Sequence, residues 1–249
     1  MAAFSLLIAT VNRTESLRRL LASLEEQSYR DFEILIADQN PPGFLDGLYA
    51  EFQNTLPLRV ITVPDKGVSQ ARNALLPHAQ GQLVAFPDDD CWYEPETLEQ
   101  VRAFFAANPH VYAVLGQWHD PAGSIRLQAS GRAINRFSAF RRGGTLVQFY
   151  RKAVVDAVGG FDPELGPGTG LPYGCGEDTD YVLRALAAGF TVVFTPKRAG
   201  LPSRGFADLV LAGKNPLLRP WTHASFTQAQ PAPLVQAGQY SVPLIACST

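Results

Sequence analysis

Over its first third the chain alternates short runs of β-favouring apolar residues with stretches of helical spacing. The runs are Phe4 to Thr10, Phe32 to Asp38, Leu58 to Val63 and Gln82 to Phe86. Between the first two, Leu17, Leu20, Leu21 and Leu24 recur every three to four residues, with Ser16, Arg18, Arg19 and Glu25 on the polar side. This spacing predicts an amphipathic helix with Thr14 as its N-cap. A second helix is predicted over Val68 to His78. A third runs from Pro95, which suits a first helical position, to Ala107, where Asn108-Pro109 stops it. Strands alternating with helices predict a parallel sheet with crossover helices. Val111 to Trp118 reads as a fifth strand. Residues 119–144 scatter Gly, Arg and Ser among short apolar groups and suggest loops and a small hairpin. Thr145 to Tyr150 then reads as a strand, Arg151 to Val158 as a short helix, Thr179 to Ala188 as a longer one and Phe190 to Phe194 as a last strand. Beyond Gly205 the chain turns to Pro and Gln and ends in the apolar group Val242 to Ala246. The pattern therefore predicts one α/β domain over 1–204 and a tail over 205–249 that serves as a lid, a docking arm or a partly disordered end.

Composition narrows the functional classes. At 249 residues with 46% hydrophobic content, the chain can bury a sizeable core. A formal charge of −2 gives no broad basic field, which argues against nucleic acid as the main partner. No stretch approaches the roughly 18 to 20 apolar residues of a membrane span. The opening Met1-Ala2-Ala3-Phe4 lacks the basic segment of a signal peptide, and its apolar run soon meets Thr10 and Asn12. Cys91, Cys175 and Cys247 have no metal-ligand spacing and argue against a disulfide framework, which fits a reducing, cytoplasmic setting.

The candidate chemistry is acidic. Asp88-Asp89-Asp90 follows the apolar run Leu83, Val84, Ala85, Phe86 and precedes Cys91-Trp92. Three adjacent carboxylates repel one another, and at a strand end they call for a cation. The carboxyl ends of strands are also where ligands bind in alternating α/β sheets. The triplet thus reads as a metal and phosphate site, with a capping or solvated turn as the plainer reading. On an extended segment Asp88 and Asp90 would project to the same side, with Asp90 as the metal ligand and Asp88 or Asp89 turned towards a ribose. Asp38 ends its own strand, although Asp-Gln-Asn-Pro-Pro also reads as a turn. Glu177-Asp178 stands where a helix begins, which its dipole favours. The preceding Gly166 to Gly176 is rich in glycine, as a mobile or closely approached loop would be.

Taken in order, Ala9-Thr10-Val11-Asn12-Arg13, Asp38, Ala71-Arg72-Asn73, Asp88-Asp89-Asp90 with Pro95, Val158-Gly159-Gly160-Phe161-Asp162 and Gly176-Glu177-Asp178-Thr179-Asp180 with Leu183 and Arg184 resemble the family 2 glycosyltransferases of the A-type fold. The resemblance covers about residues 4 to 198. It implies a single α/β domain with a mostly parallel, Rossmann-like sheet flanked by helices, a nucleotide-sugar half over 1–118 and an acceptor half over 119–204. The activity implied is inverting transfer of a sugar from a UDP-, GDP- or dTDP-sugar to a glycan, a lipid-linked saccharide or a small molecule, assisted by Mn2+ or Mg2+. A metal at the diphosphate offsets the charge of the leaving group, and a carboxylate removes the acceptor proton. By resemblance Asp178 is that base and Glu177 its acceptor-orienting partner. Thr10, Arg13, Asp38, Arg72, Asp88 and Asp89 meet the nucleotide, Asp38 at the base. Asp90 with Asp88 holds the metal. Trp92, Tyr93 and Tyr173 read as a platform for a sugar ring or as core aromatics, and Cys91 and Cys175 as small buried residues.

The chain departs from the family pattern twice. Ala9 and Val11 stand where the family has Pro and Tyr around the Thr, which removes an aromatic contact to the base. Gly200-Leu201-Pro202 stands where relatives carry a His after the last strand, so His223 would complete the metal site only if the tail folds back. Peripheral attachment to a membrane through the tail stays open. Two other classes compete: a nucleotidyltransferase, for which Val11-Asn12-Arg13-Thr14 lacks the glycine-rich phosphate loop, and a degenerate protein that binds a nucleotide sugar or a glycan without transfer.

Overall fold

The first apolar run shows no alternation of polar and apolar residues because it lies inside the molecule. In the computed structural model, which describes residues 2–119, 132–139, 147–172, 174–195 and 210–212, strand β1 (Phe4–Thr10) is buried along almost its whole length. Central strands of parallel sheets are covered on both faces and read as continuous hydrophobic runs. The side-chain alternation persists as a division between two cores. Phe4, Leu6 and Ile8 of β1 and Ile34 and Ile36 of β2 (Phe32–Asp38) face one side, where Leu17, Leu20, Leu21 and Leu24 of helix α1 (Thr14–Glu25) pack. Leu7, Leu35 and Ala37 face the other side, against Ala71 and Leu75 of α3 (Val68–Leu75). Between these helices come α2 (Asp46–Phe52) and strand β3 (Leu58–Thr62).

The chain continues through β4 (Leu83–Ala85), β5 (Trp92–Tyr93), α4 (Thr97–Ala107), β6 (Ala113–Leu115), β7 (Gln117–His119), β8 (Arg132–Ala133), α5 (Arg136–Ala139), β9 (Gln148–Arg151), α6 (Lys152–Val158), α7 (Glu177–Ala187), β10 (Val192–Phe194) and β11 (Val210–Ala212). The main sheet has the order β3-β2-β1-β4-β9-β6-β10-β8. β3, β2, β1 and β4 are mutually parallel, β9 runs against both β4 and β6, and β8 runs against β10. Helices cover both faces, with α1 and α4 contributing to one core and α3, α6 and α7 to the other. The expected α/β class, mostly parallel and helix-flanked, is the observed one.

The local differences have local causes. Arg13 is the N-cap of α1 and Thr14 its first helical residue. The single strand expected over Val111 to Trp118 breaks at Gly116, whose N–H donates to the Val147 carbonyl at 2.8 Å. The two pieces belong to different sheets, β7 joining β5 and β11 in a second, three-stranded one. α2 went unread because only Leu48 and Phe52 are buried in its seven residues, too few to set a period. α7 starts at Glu177, two residues before the expected start, which brings both acids into its first turn. The expected tail over 205–249 is described only at β11, where Leu211 pairs with Tyr93 and Trp118. Cys91 is buried and outside any disulfide, whereas Cys175 is disulfide-bonded, contrary to the expectation for it. Among the described residues no helix is long and apolar enough to cross a membrane.

Candidate active site

Four parallel strands end at one edge of the sheet, and the acidic residues collect there. Thr10 and Asp38 are register partners at the ends of β1 and β2, and Asp38 pairs in turn with Thr62. Beyond β4, Asp88 bridges back to Ala9. The chain leaves β1 for β2 through α1 on one side and reaches β4 through α3 on the other. The crevice between β1 and β4 is therefore the point where the strand order reverses, the ligand position of open α/β sheets.

The triplet is a turn. The Cys91 N–H donates to the Asp88 carbonyl at 3.2 Å, and the three carboxylates part company. Thr10 Oγ1 donates to Asp89 Oδ2 at 2.8 Å. Arg13 donates from Nη1 to Asp90 Oδ2 at 3.0 Å and sets Nε 3.6 Å from Asp89 Oδ1. Arg72 Nη2 donates to Asp88 Oδ1 at 2.8 Å. The shared projection of Asp88 and Asp90 expected for an extended segment is thereby corrected: Asp90 is grouped with Asp89 on Arg13, and Asp88 turns to Arg72. Burial pushes the Asp89 carboxyl up to about 7, against the pull of the Arg13 charge and the Thr10 hydroxyl.

Asp38 faces its own turn. Its Oδ1 accepts from the Asn40 N–H at 2.9 Å and from Asn40 Nδ2 at 2.7 Å, and its Oδ2 accepts from Tyr49 Oη at 2.9 Å. Asn40 Oδ1 in turn accepts from the N–H of Asn12 at 2.6 Å, which fixes Asn12 at φ 56° beside Thr10. Asn tolerates that left-handed conformation better than most side chains.

Across the crevice, Glu177 and Asp178 open α7 from Gly176, itself left-handed at φ 99°. Glu177 is 9% exposed, and its Oε1 lies 3.6 Å from Arg72 Nη1. Burial, with Asp178 adding to it and Arg72 opposing, pushes Glu177 up to about 7. Asp178 is also raised, chiefly by burial, although its Oδ1 accepts the Thr179 N–H at 2.6 Å. Asp180 pairs with Arg184 at 2.8 Å, and Arg184 donates to the Val158 and Gly160 carbonyls, which ties the first turn of α7 to the end of α6.

Helix α3 supports this second motif. Asn73 Nδ2 donates to the Phe161 carbonyl at 2.8 Å while its Oδ1 accepts the Phe161 N–H at 2.6 Å. Ser69 Oγ donates to the Leu165 carbonyl at 2.7 Å, and the Val68 N–H to the Pro167 carbonyl at 3.0 Å. The glycine-rich segment is a close approach: Gly166 has φ +98°, and a Cβ there would stand 2.7 Å from Val68 Cγ1 and 3.1 Å from Glu177 Cδ. Arg72, expected at the nucleotide, is 1% exposed and lies over the Phe161 ring at 5.4 Å. The structure thus brings Thr10, Arg13, Asp89 and Asp90 into one set of contacts and Arg72, Asp88 and Glu177 into another, the two meeting through the backbone of the triplet, with Asp178 beside Glu177. Trp92 is half-buried with Arg19 over its ring at 5.2 Å. Tyr173, His223 and the Gly200-Leu201-Pro202 stretch lie outside the described residues. Asn73, Ser69, Asn40 and Tyr49 were not assigned roles from sequence. Asn73 stands in Ala71-Arg72-Asn73 and Asn40 in Asp-Gln-Asn-Pro-Pro, and no spacing signals Ser69 or Tyr49.

Residues 5–157 match the family model described as Glycosyl transferase family 2. The chain belongs to glycosyl transferase family 2. Within the family it is similar to the poly(ribitol-phosphate) beta-N-acetylglucosaminyltransferase TarS of Staphylococcus aureus (strain Mu50), 30% identical over 108 residues that cover 42% of this chain and 19% of TarS. It is also similar to the glycosyltransferase AglE of Haloferax volcanii, 24% identical over 226 residues covering 83% of this chain and 69% of AglE. Among solved structures, S. aureus TarS 1-349 superposes with a TM-score of 0.68 at 21% identity, covering 86% of this chain and 60% of that one. The mannosyltransferase PcManGT of Pyrobaculum calidifontis, in complex with GDP-Man and Mn2+, superposes with a TM-score of 0.62 at 18% identity, covering 87% and 58%. This chain spans well under two thirds of TarS. The A-type glycosyltransferase fold is common to these structures.

A divalent cation is judged on the donors at the triplet. Among the described residues no group of three or more His, Cys, Asp or Glu side chains is arranged to hold a metal. Mg2+ sites at phosphates are usually built from one or two carboxylates, with substrate oxygens and water completing the shell. Asp90 and Asp88 supply hard oxygen donors of that kind beside the crevice, so the residues fit a cation that arrives with a diphosphate.

Proposed function

We propose that this family 2 member transfers a sugar, with inversion, from a nucleotide-sugar donor to an acceptor hydroxyl of a glycan, a lipid-linked saccharide or a small molecule. The observation that carries the reading is the meeting of two acidic motifs from the two halves of the chain, Asp88 to Asp90 and Glu177-Asp178, at the carboxyl edge of the sheet. The relatives named with UDP-GlcNAc and GDP-Man support a UDP- or GDP-sugar as donor, and dTDP remains within the same chemistry. Asp38, held by Asn40 and Tyr49, lies where a ring N–H of the base would seek an acceptor, and Thr10, Arg13, Asp88 and Asp89 line the path to the ribose and diphosphate.

Asp90 and Asp88 would hold Mn2+ or Mg2+, whose charge, once bound, stabilises the departing diphosphate. As the acceptor oxygen bonds to the anomeric carbon, its proton passes to Asp178. The bond to the phosphate oxygen breaks on the opposite face, and the nucleoside diphosphate keeps the electron pair. A base must be near neutrality to work at neutral pH, and the raised Asp178 carboxyl, beside a Glu177 at about 7, suits that task. Trp92 and Tyr173 are proposed for the sugar side and His223 as a further metal ligand. A cytoplasmic site of action, with or without peripheral contact at the membrane, belongs to the same proposal.

A panel of UDP-, GDP- and dTDP-sugars, assayed for transfer and hydrolysis with Mn2+ or Mg2+, tests this reading. Wild type should turn over one donor class. Asp178→Asn should lose about 10²-fold or more in kcat, and Asp90→Ala should lose its response to metal. Equal behaviour of all three proteins overturns the mechanism. Binding of the donor without turnover identifies a degenerate binding protein, and pyrophosphate release from a nucleoside triphosphate identifies a nucleotidyltransferase.

A further inference from the structure

We infer that Arg72 is a positioning residue shared between the two halves of the site, so that the occupant of the donor-side Asp88 sets how Arg72 holds the acceptor-side Glu177. The inference rests on the proposed transfer reaction for its meaning, but its geometry stands apart from it. One guanidinium reaches Asp88 Oδ1 at 2.8 Å through Nη2 and Glu177 Oε1 at 3.6 Å through Nη1. The first contact is a charge-assisted hydrogen bond; the second is an ion pair still longer than one. Arg72 is 1% exposed, and the Glu177 side chain is 12% and that of Asp88 26% exposed, so water screens these pairings less than it would surface pairs. The side chain is also held in place, with its charge over the Phe161 ring at 5.4 Å and the next residue, Asn73, clamping both backbone groups of Phe161.

One cation divided between two carboxylates makes them compete. When a cation with its diphosphate draws on Asp88, the guanidinium shifts its charge towards Glu177 and closes the longer contact. Donor binding then sets the side chain that orients the acceptor, which favours donor first and acceptor second. Coupling between two sites is reciprocal, so a change at Glu177 must alter nucleotide affinity at the triplet although Glu177 belongs to the other half. A lysine at position 72 places a single compact ammonium where a planar fork now serves two partners, and it cannot hold both.

Two measurements test this, and they fail separately. In the ligand-free protein, chemical unfolding of Asp88→Asn, Glu177→Gln and the double variant forms a cycle. With Arg72 present, Glu177→Gln should perturb the unfolding equilibrium at least about threefold more in the Asp88→Asn background than in wild type, because the guanidinium has by then gone over to Glu177. In an Arg72→Lys background the same cycle should be additive. Calorimetric titration with UDP and Mn2+ forms the second arm. Glu177→Gln should weaken UDP binding about three- to tenfold, as Arg72 then loses the Glu177 carboxylate and leans further on Asp88, and the effect should shrink below about twofold with Arg72→Lys. Additivity with Arg72 present, or an equal Glu177→Gln effect in both backgrounds, overturns the inference. Failure of wild type to bind UDP, GDP or dTDP at all overturns the transferase reading and leaves the unfolding cycle to decide the role of Arg72.

Discussion

Glu177 shows how one carboxyl can record the state of the whole site. Its pKa is raised from 4.5 to about 7, mainly by burial. A carboxyl raised in the folded state binds its proton more tightly there than in the unfolded chain. The stability it contributes is present below about 4.5 and is lost as pH rises through about 7. Asp89 and Asp178 are raised as well and act in the same direction. The ligand-free protein is therefore expected to melt lower at pH 8 than at pH 5.5. Glu177→Gln should flatten that dependence by up to about 2 kcal/mol, read from thermal unfolding at the two pH values. A wild-type protein more stable at pH 8 than at pH 5.5 contradicts the assignment. The acids themselves were legible in sequence, because three adjacent Asp residues after an apolar run are unusual in any chain. Their partners were not: Thr10 meets Asp89 across 79 positions, and nothing in the spacing of either residue points to the other.

Among the elements, α3 joins the two halves. Its Ala71 and Leu75 pack under the sheet, while Ser69, Arg72 and Asn73 reach the segment leading to α7. Asn73→Ala is expected to cost about 1–3 kcal/mol by leaving the Phe161 N–H and carbonyl without their clamp, seen as a lower urea midpoint at unchanged slope. Gly166→Ala should act on the same segment by another route. At φ +98° an added Cβ meets Val68 Cγ1 at 2.7 Å and presses on the Glu177 side chain, so the loss should appear in both stability and transfer. α1 was readable because it carries a helical period, and β1 and β2 because buried strands are continuous apolar runs. α2 and the division of one apolar run into β6 and β7 were not, because two buried positions set no period and the break at Gly116 is made by the Val147 carbonyl, which is distant in sequence.

At the scale of the molecule, the fold places the carboxyl edge of the sheet, with Asp88 to Asp90, and the start of α7 on one crevice, and binding of the proposed donor there should stabilise the assembly as a unit. UDP with Mn2+ at about 100 times the dissociation constant should add about 2.7 kcal/mol, visible as a rise of several degrees in melting temperature. The rise should shrink on addition of EDTA and in Asp90→Ala. An undiminished rise with EDTA would place the nucleotide without help from a cation. The sequence by itself determined the class of fold, the family and the acidic residues proposed to carry the chemistry, since hydrophobic period and a run of like charges are local properties. Only the tertiary structure decided that the triplet is a turn, that Arg13 holds Asp89 and Asp90, and that a buried Arg72 stands between Asp88 and Glu177. Those pairings join residues far apart in the chain, and they exist because packing on the two faces of one sheet brings α1, α3 and α7 to the same edge.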